Sequence, residues 1–192
     1  RYREQIPDKT CTELRDYRTR YGQYRLDEQL RECHRLHPFI VIWDDHEIAN
    51  NVTAAGSQDG RTIADWDARK AAAKQAYFEW MPVRRPAHES VYRTVHLGPL
   101  ADLVMLDTRL VGRDRPAKDA RRPAIRIADR KRSLLGERQW TWLEGEVGAS
   151  TARWLLVGDD FRFGARRAGD LAMLEREAPR HGVQVVAMES VV

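Results

Sequence analysis

Apolar residues first recur at helical spacing. Across residues 12–36, Leu14, Tyr17, Tyr21 and Tyr24, then Leu26, Leu30 and Cys33, follow the i, i+3, i+4, i+7 template of a half-buried helix. Gly22 and a candidate N-cap at Asp27 predict two helices rather than one. His37-Pro38 closes the second, because the residue before a proline is pushed out of the α region. Phe39-Ile40-Val41-Ile42-Trp43 is an uninterrupted apolar run rich in β-branching, which predicts a strand buried on both faces. A third helix is predicted over 65–80, with Trp66, Ala73, Ala76, Tyr77 and Trp80 on its apolar side and Pro82 beyond it. The period then changes to two. Strands are predicted over 92–97 and 101–106 about a Gly98-Pro99 turn. Later come a helix over 136–148 with Trp140, Leu143 and Val147 at helical spacing, a strand over 153–157, a helix over 170–178 and a strand over 183–188. Helices alternating with buried strands place the chain in the α/β class.

Length fits one unit: 192 residues make one ordinary domain rather than two. With 42% hydrophobic and 32% charged residues the chain is neither collagen-like nor wholly disordered. No apolar run reaches the ~20 residues that span a bilayer. The chain opens at Arg1 rather than Met, in what reads as a loop, which points to sequence upstream. The net charge is only +4, but residues 112–132 hold nine basic residues against Asp114, Asp119 and Asp129. Only five of the 33 cations are lysine, so the excess is arginine, whose planar fork suits phosphate and carboxylate. A charged loop is the plain explanation of 112–132; a basic anion-binding or nucleic-acid-binding module is the alternative. No aromatic residue interleaves with those arginines, so a base-stacking platform is absent from that segment. Cys11 and Cys33 lack the spacing of a zinc knuckle or redox motif, and a disulfide between them stays open.

Three predicted strands end in acid: Asp44-Asp45-His46-Glu47, Asp107-Thr108-Arg109 and, after Gly158, Asp159-Asp160. In open α/β sheets ligands sit beyond the carboxyl ends of the strands, where such carboxylates meet substrate. Converging carboxylates repel one another and suffer raised pKa values unless a cation neutralises them, so a metal site is the leading reading. Asp44, Asp45, His46 and Glu47, with Asn50 and Asn51 close behind, offer five oxygen-bearing side chains and an imidazole within eight positions. A helix cap needs one such side chain, not six. Asp107 and Arg109 divide evenly between a structural ion pair and a functional one, and Asp159-Asp160 reads as turn chemistry. His34, His37, His88, His96 and His181 stand alone.

Tyr17-Arg18-Thr19-Arg20-Tyr21, Leu26-Asp27-Glu28-Gln29-Leu30, His37-Pro38-Phe39, Trp43-Asp44-Asp45-His46-Glu47 and Asn50-Asn51 together resemble the central block of the alkaline phosphatase D (PhoD-like) family of metallophosphoesterases. Leu106-Asp107-Thr108-Arg109 and the run from Leu135 to Leu143 are similar to its later blocks. The resemblance implies a phosphoester hydrolase with part of a four-layer α/β/β/α fold, residues 1–192 forming one partial domain, in proteins commonly exported. It implies that Asp45 is a metal ligand, that His46 stabilises the transition state or protonates the leaving oxygen, and that Asp44 and Asn51 are further ligands. Arg109 is a candidate phosphate contact. The metal would be a divalent or trivalent ion: Ca, Fe, Mn or Zn, with oxygen-rich ligation pointing away from a thiolate zinc site.

The departures are specific. The family's first metal-binding blocks have no counterpart after residue 1, and its closing Gly-Asp-x-His falls where this chain reads Glu189, Ser190 and Val192. Asp159-Asp160 replaces the usual amide pair. The expectation is therefore an incomplete metal shell and little or no phosphatase activity from this chain alone. An inactive structural remnant is the third reading.

Overall fold

The computed structural model describes residues 4–57, 63–85, 90–115, 131–149, 154–158, 162–163 and 169–188. Helix α1 (Leu14–Tyr24) opens where the Asp16 carboxylate takes the N–H groups of Thr12 and the N-cap Glu13 at 3.2 and 3.3 Å, one half of a capping box. Gly22 lies inside α1 rather than ending it. One helical glycine costs only about 1 kcal/mol, and the Trp80 ring lies 3.5 Å from where its Cβ would be, so packing carries the helix past it. Helix α2 (Glu28–Leu36) begins as predicted at Asp27, whose Oδ1 accepts the Leu30 N–H at 2.9 Å.

Helix α3 (Ile63–Trp80) packs on α1 and supplies much of the core: Trp66, Ala73, Ala76 and Tyr77 are buried with Tyr17, Trp43, Ile48, Ala49, Val52, Val91 and Leu110. Fully burying a large apolar side chain is worth about 1.5–3 kcal/mol, which is enough to fix the α1–α3 pair. Trp43, Tyr77 and Phe78 meet edge to face at 5.1–6.0 Å between ring centres.

The run 39–43 is not a strand. Its Trp43 is buried and Val41 and Ile42 pack against the core, but Ile40 is exposed and no described strand pairs with the run, and a buried strand exists only beside a neighbour that takes its backbone groups. Arg93 Nη2 caps the Val41 carbonyl at 2.8 Å, and Phe39 stacks on His34 at 3.9 Å.

Strands β1 (Arg93–Leu97) and β2 (Ala101–Met105) form the predicted antiparallel hairpin, from Arg93 opposite Met105 to Leu97 opposite Ala101. Gly98 turns it with φ +59°, and His96 is not alone, since its Nδ1 lies 2.6 Å from Asp102 across the ladder. Helix α4 (Gly136–Ala149) presents a different face from the one predicted. Gln139 is buried, as is Leu135 just before the helix, while Trp140 and Val147 are exposed and Trp142 tilts against Tyr92. The buried Gln139 amide dictates that rotation, because its partners lie on the chain after β2.

Strand β3 (Trp154–Gly158) pairs in parallel with β6 (Gln184–Met188), and between them lie the short pair β4 (Arg162–Phe163) and β5 (Gly169–Asp170), helix α5 (Leu171–Glu177) and a 3-10 turn over Ala178–His181. Parallel neighbours need such a crossover. Cys11 and Cys33 are free thiols, which answers the disulfide question. Among the described residues no helix is long and apolar enough to cross a membrane. Residues 116–130, most of the basic segment, lie outside the described residues, as do Asp159, Asp160, Glu189, Ser190 and Val192.

Candidate functional site

The acidic stretch forms a tight turn at the end of this apolar run. The Ile48 and Ala49 N–H groups donate to the Asp45 carbonyl at 2.9 and 2.8 Å, and Glu47 Oε2 accepts the Asp44 N–H at 2.8 Å. Glu47 is thus a cap for its own turn. Asn51 closes the turn with φ +52°, a left-handed conformation that asparagine tolerates better than most residues. Its N–H donates to Asp45 Oδ2 at 2.8 Å, which fixes the carboxylate of Asp45 within the turn. The side chain of Asp45 is only 12% exposed, against 65% for Asp44 and 77% for His46. One carboxylate is set inward and its neighbours face solvent.

A second loop closes on the first. Arg109, after β2, donates through Nε to Asp44 and holds Nη2 3.9 Å from Asp45 Oδ1. Arg113 sends Nη1 to the Val52 carbonyl at 3.4 Å, and its own carbonyl accepts the Ala54 N–H at 3.1 Å. The two loops are stitched by backbone and charge together. The repulsion expected among converging carboxylates is therefore relieved by guanidinium groups of the same chain. Burial pushes the Asp45 carboxyl up, but the Asn51 N–H, Arg109 and His46 outweigh it and hold the pKa below the ordinary carboxylate value. Burial lowers the Arg113 pKa, reinforced by Arg109 and opposed by Asp45 and Asp44.

Asp107 belongs to the scaffold. It is fully buried, and its Oδ1 accepts the N–H groups of Arg109 and Leu110 at 2.9 and 2.8 Å while Ser90 Oγ reaches Oδ2 at 3.4 Å. It bonds the backbone of Arg109, not its guanidinium. Gln139 completes the arrangement, accepting the Asp107 N–H at 2.7 Å and donating to the Asp107 carbonyl at 2.8 Å. Immediately after, Gly112 touches the start of α4 so closely that a Cβ there would lie 2.2 Å from the Gly136 backbone. Asp107, Gly112 and Gln139 thus aim Arg109 at the acidic turn.

The structure brings Asp44, Asp45, His46 and Arg109 to one place, with the Asn51 backbone binding Asp45. Sequence reasoning gives no role to Gln139, although it lies in the block from Leu135 to Leu143, and it misses Tyr17 and Arg69 as supports of the turn. Arg69 carried a signal: it falls three residues after Trp66 and four before Ala73, a cation in the middle of an apolar stripe.

The sequence profile of the PhoD-like phosphatase family matches residues 1–185. The chain belongs to that family. It is 36% identical over 156 residues to alkaline phosphatase D of Bacillus subtilis (strain 168), an alignment covering 78% of this chain and 27% of that protein. A solved structure described as the structure of PhoD superposes with a TM-score of 0.72 at 30% identity, covering 97% of this chain and 40% of that one. The mixed α/β fold is thus that of a PhoD-like protein, and this chain spans well under half the length of either relative.

The donor chemistry of the turn fits a hard cation, with carboxylate and amide oxygens and an imidazole close by. The number of donors falls short: among the described residues no group of three or more His, Cys, Asp and Glu side chains is gathered as a metal shell requires. Two described arginines of the basic segment serve the scaffold, Arg113 as above and Arg132 by donating to the Arg115 carbonyl at 2.6 Å.

Proposed function

We propose that this chain carries the phosphate-facing part of a metal-dependent phosphoester hydrolase centre. The observation that supports it most is the convergence of Asp44, Asp45, His46 and Arg109 in a chain of the PhoD-like phosphatase family. In this reading Asp44, Asp45 and Asn51 contribute metal ligands, further donors being needed to close the shell, and the ion is Ca, Fe, Mn or Zn. A metal bound by these residues would supply Lewis-acid polarisation of the phosphoryl oxygens and activation of water near neutral pH.

Asp45 is ready for that role because its pKa is already depressed and its orientation fixed, so little is spent on ordering it. His46 projects from the same turn into solvent, within reach of an incoming ester, and serves as proton donor to the leaving oxygen. Arg109, now paired with Asp44, carries the planar fork that suits two phosphoryl oxygens at a time. The 192 residues read as one partial domain of an exported protein, acting on a phosphoester, with little turnover of their own because the shell is incomplete.

The test uses inorganic phosphate titrated calorimetrically into the chain with Ca²⁺ present. Saturable binding is expected, weakened about tenfold or more by His46→Ala or Arg109→Gln, since each removes a charge-assisted hydrogen bond of about 1.5–3 kcal/mol. Binding unaffected by both substitutions overturns the assignment. Hydrolysis of a chromogenic phosphoester by the chain with Ca²⁺, Fe³⁺, Mn²⁺ or Zn²⁺ is expected to stay near background; turnover abolished by His46→Ala would overturn the incomplete-shell reading alone.

A further inference from the structure

The acidic turn is held from beneath by two side chains that reach its backbone. Tyr17, on α1, donates its hydroxyl to the Ile48 carbonyl at 2.7 Å. Arg69, on α3, donates Nε to the Tyr17 hydroxyl at 3.0 Å and brings Nη2 to 3.5 Å from the same carbonyl. Both residues are 4% exposed. Ile48 is the residue whose N–H, with that of Ala49, donates to the Asp45 carbonyl, so the clamped carbonyl belongs to the turn that carries Asp45, His46 and Asn51.

Packing alone does not account for this arrangement. A guanidinium taken out of water costs several kcal/mol unless its donors are answered, and an apolar residue would fill the α3 stripe between Trp66 and Ala73 without that cost. A buried arginine there is understandable if its donors are needed, and the Ile48 carbonyl and Tyr17 hydroxyl are among the acceptors they meet. The rigid fork of arginine spans both acceptors at once, which the single point of a lysine does not.

We propose that Tyr17 and Arg69 are positioning residues for the turn 45–51, fixing the Ile48 carbonyl and through it the orientation of the Asp45 carboxylate and the His46 ring. That the turn so held is a phosphate-binding one rests on the function proposed above. The clamp itself does not, and the two are tested by separate readouts.

Native-state amide exchange is measured on the full 192-residue chain for wild type, Tyr17→Phe, Arg69→Met, Arg69→Lys and the comparator Ala73→Gly. In Tyr17→Phe and Arg69→Met, the Ile48, Ala49 and Asn51 amides are expected to exchange about tenfold faster or more, while those of Tyr77 and Phe78 in α3 stay within about twofold. Arg69→Lys is expected to restore part of the protection. Ala73→Gly, a packing defect on the same helix face, is expected to speed α3 and turn amides together. Uniform acceleration in Tyr17→Phe, or none in the turn, overturns the clamp. In parallel, Tyr17→Phe is expected to weaken Ca²⁺-supported phosphate binding about tenfold with Asp45 and His46 intact. Absence of phosphate binding in wild type sinks the functional reading, and the exchange pattern still decides the clamp.

Discussion

Replacing Gln139 with leucine tests how the scaffold aims Arg109. The side chain is fully buried, and its amide answers both backbone groups of Asp107, at 2.7 and 2.8 Å, besides reaching the Leu135 carbonyl at 3.2 Å. Leucine is close in volume, so no large cavity opens, but the Asp107 N–H and C=O are left buried without their partners. A buried polar group stripped of its hydrogen bond costs about 1–3 kcal/mol, so the pair sums to roughly 2–6 kcal/mol. At this chain length each kcal/mol corresponds to about 2–4 °C in Tm, so the lower end alone gives a fall of about 4–8 °C. Gln139→Glu keeps an acceptor for the N–H but turns an oxygen towards the Asp107 carbonyl, and should lie close to Gln139→Leu. Urea unfolding followed by circular dichroism supplies the free energies, with the exposed Glu144→Gln as the control. A Gln139→Leu loss under about 1 kcal/mol would refute the view that this amide anchors the strand end to α4.

Gly112→Ala places a Cβ 2.2 Å from the Gly136 backbone, where no side-chain motion relieves the clash, and is expected to cost about 1–3 kcal/mol in the same assay. Burial raises the Asp16 carboxyl, but Lys9 at 2.9 Å and the Thr12 and Glu13 N–H groups outweigh it, leaving its pKa below the ordinary 3.8. Its contribution to stability is therefore complete above pH 3.8 and lost as pH falls through the lower folded value, so Asp16→Asn should flatten the acid limb of the stability curve there. Glu79, gripped in a bidentate pair by Arg18 at 2.7 and 2.6 Å and reached by Gln75, should titrate at about 2 by NMR and move up towards 4.5 in Arg18→Gln, with little change in Tm because the pair is exposed.

Elements with a local cause were legible in the sequence. Asp27 caps α2 and Gly98 turns the β1–β2 hairpin, each within four residues of the signal that predicts it. What failed depends on distant partners. The apolar run 39–43 reads as a strand from composition, yet a strand is defined by its neighbour, and none of the described strands lies beside it. Helix α4 lies where its spacing predicts but is rotated, because the Gln139–Asp107 contact spans 32 residues and outweighs the burial of Trp140. The same division runs through the site. Asp44, Asp45 and His46 announce themselves by density, whereas their relation to Arg109, 65 residues away, follows from the hairpin and from Gly112 packing on α4. Arg109 also stands where a cation was anticipated, so the carboxylate repulsion inferred from the sequence is met by a side chain of the protein.

A crystal structure of the chain grown with Mn²⁺ and inorganic phosphate, with manganese located by its anomalous signal, tests the central claim most directly. The account predicts manganese against the Asp45 carboxylate, Arg109 drawn off Asp44, and phosphate oxygens within hydrogen-bond reach of Arg109 and His46. Manganese absent from the turn, with the Arg109–Asp44 pair intact and phosphate bound elsewhere or not at all, would contradict it.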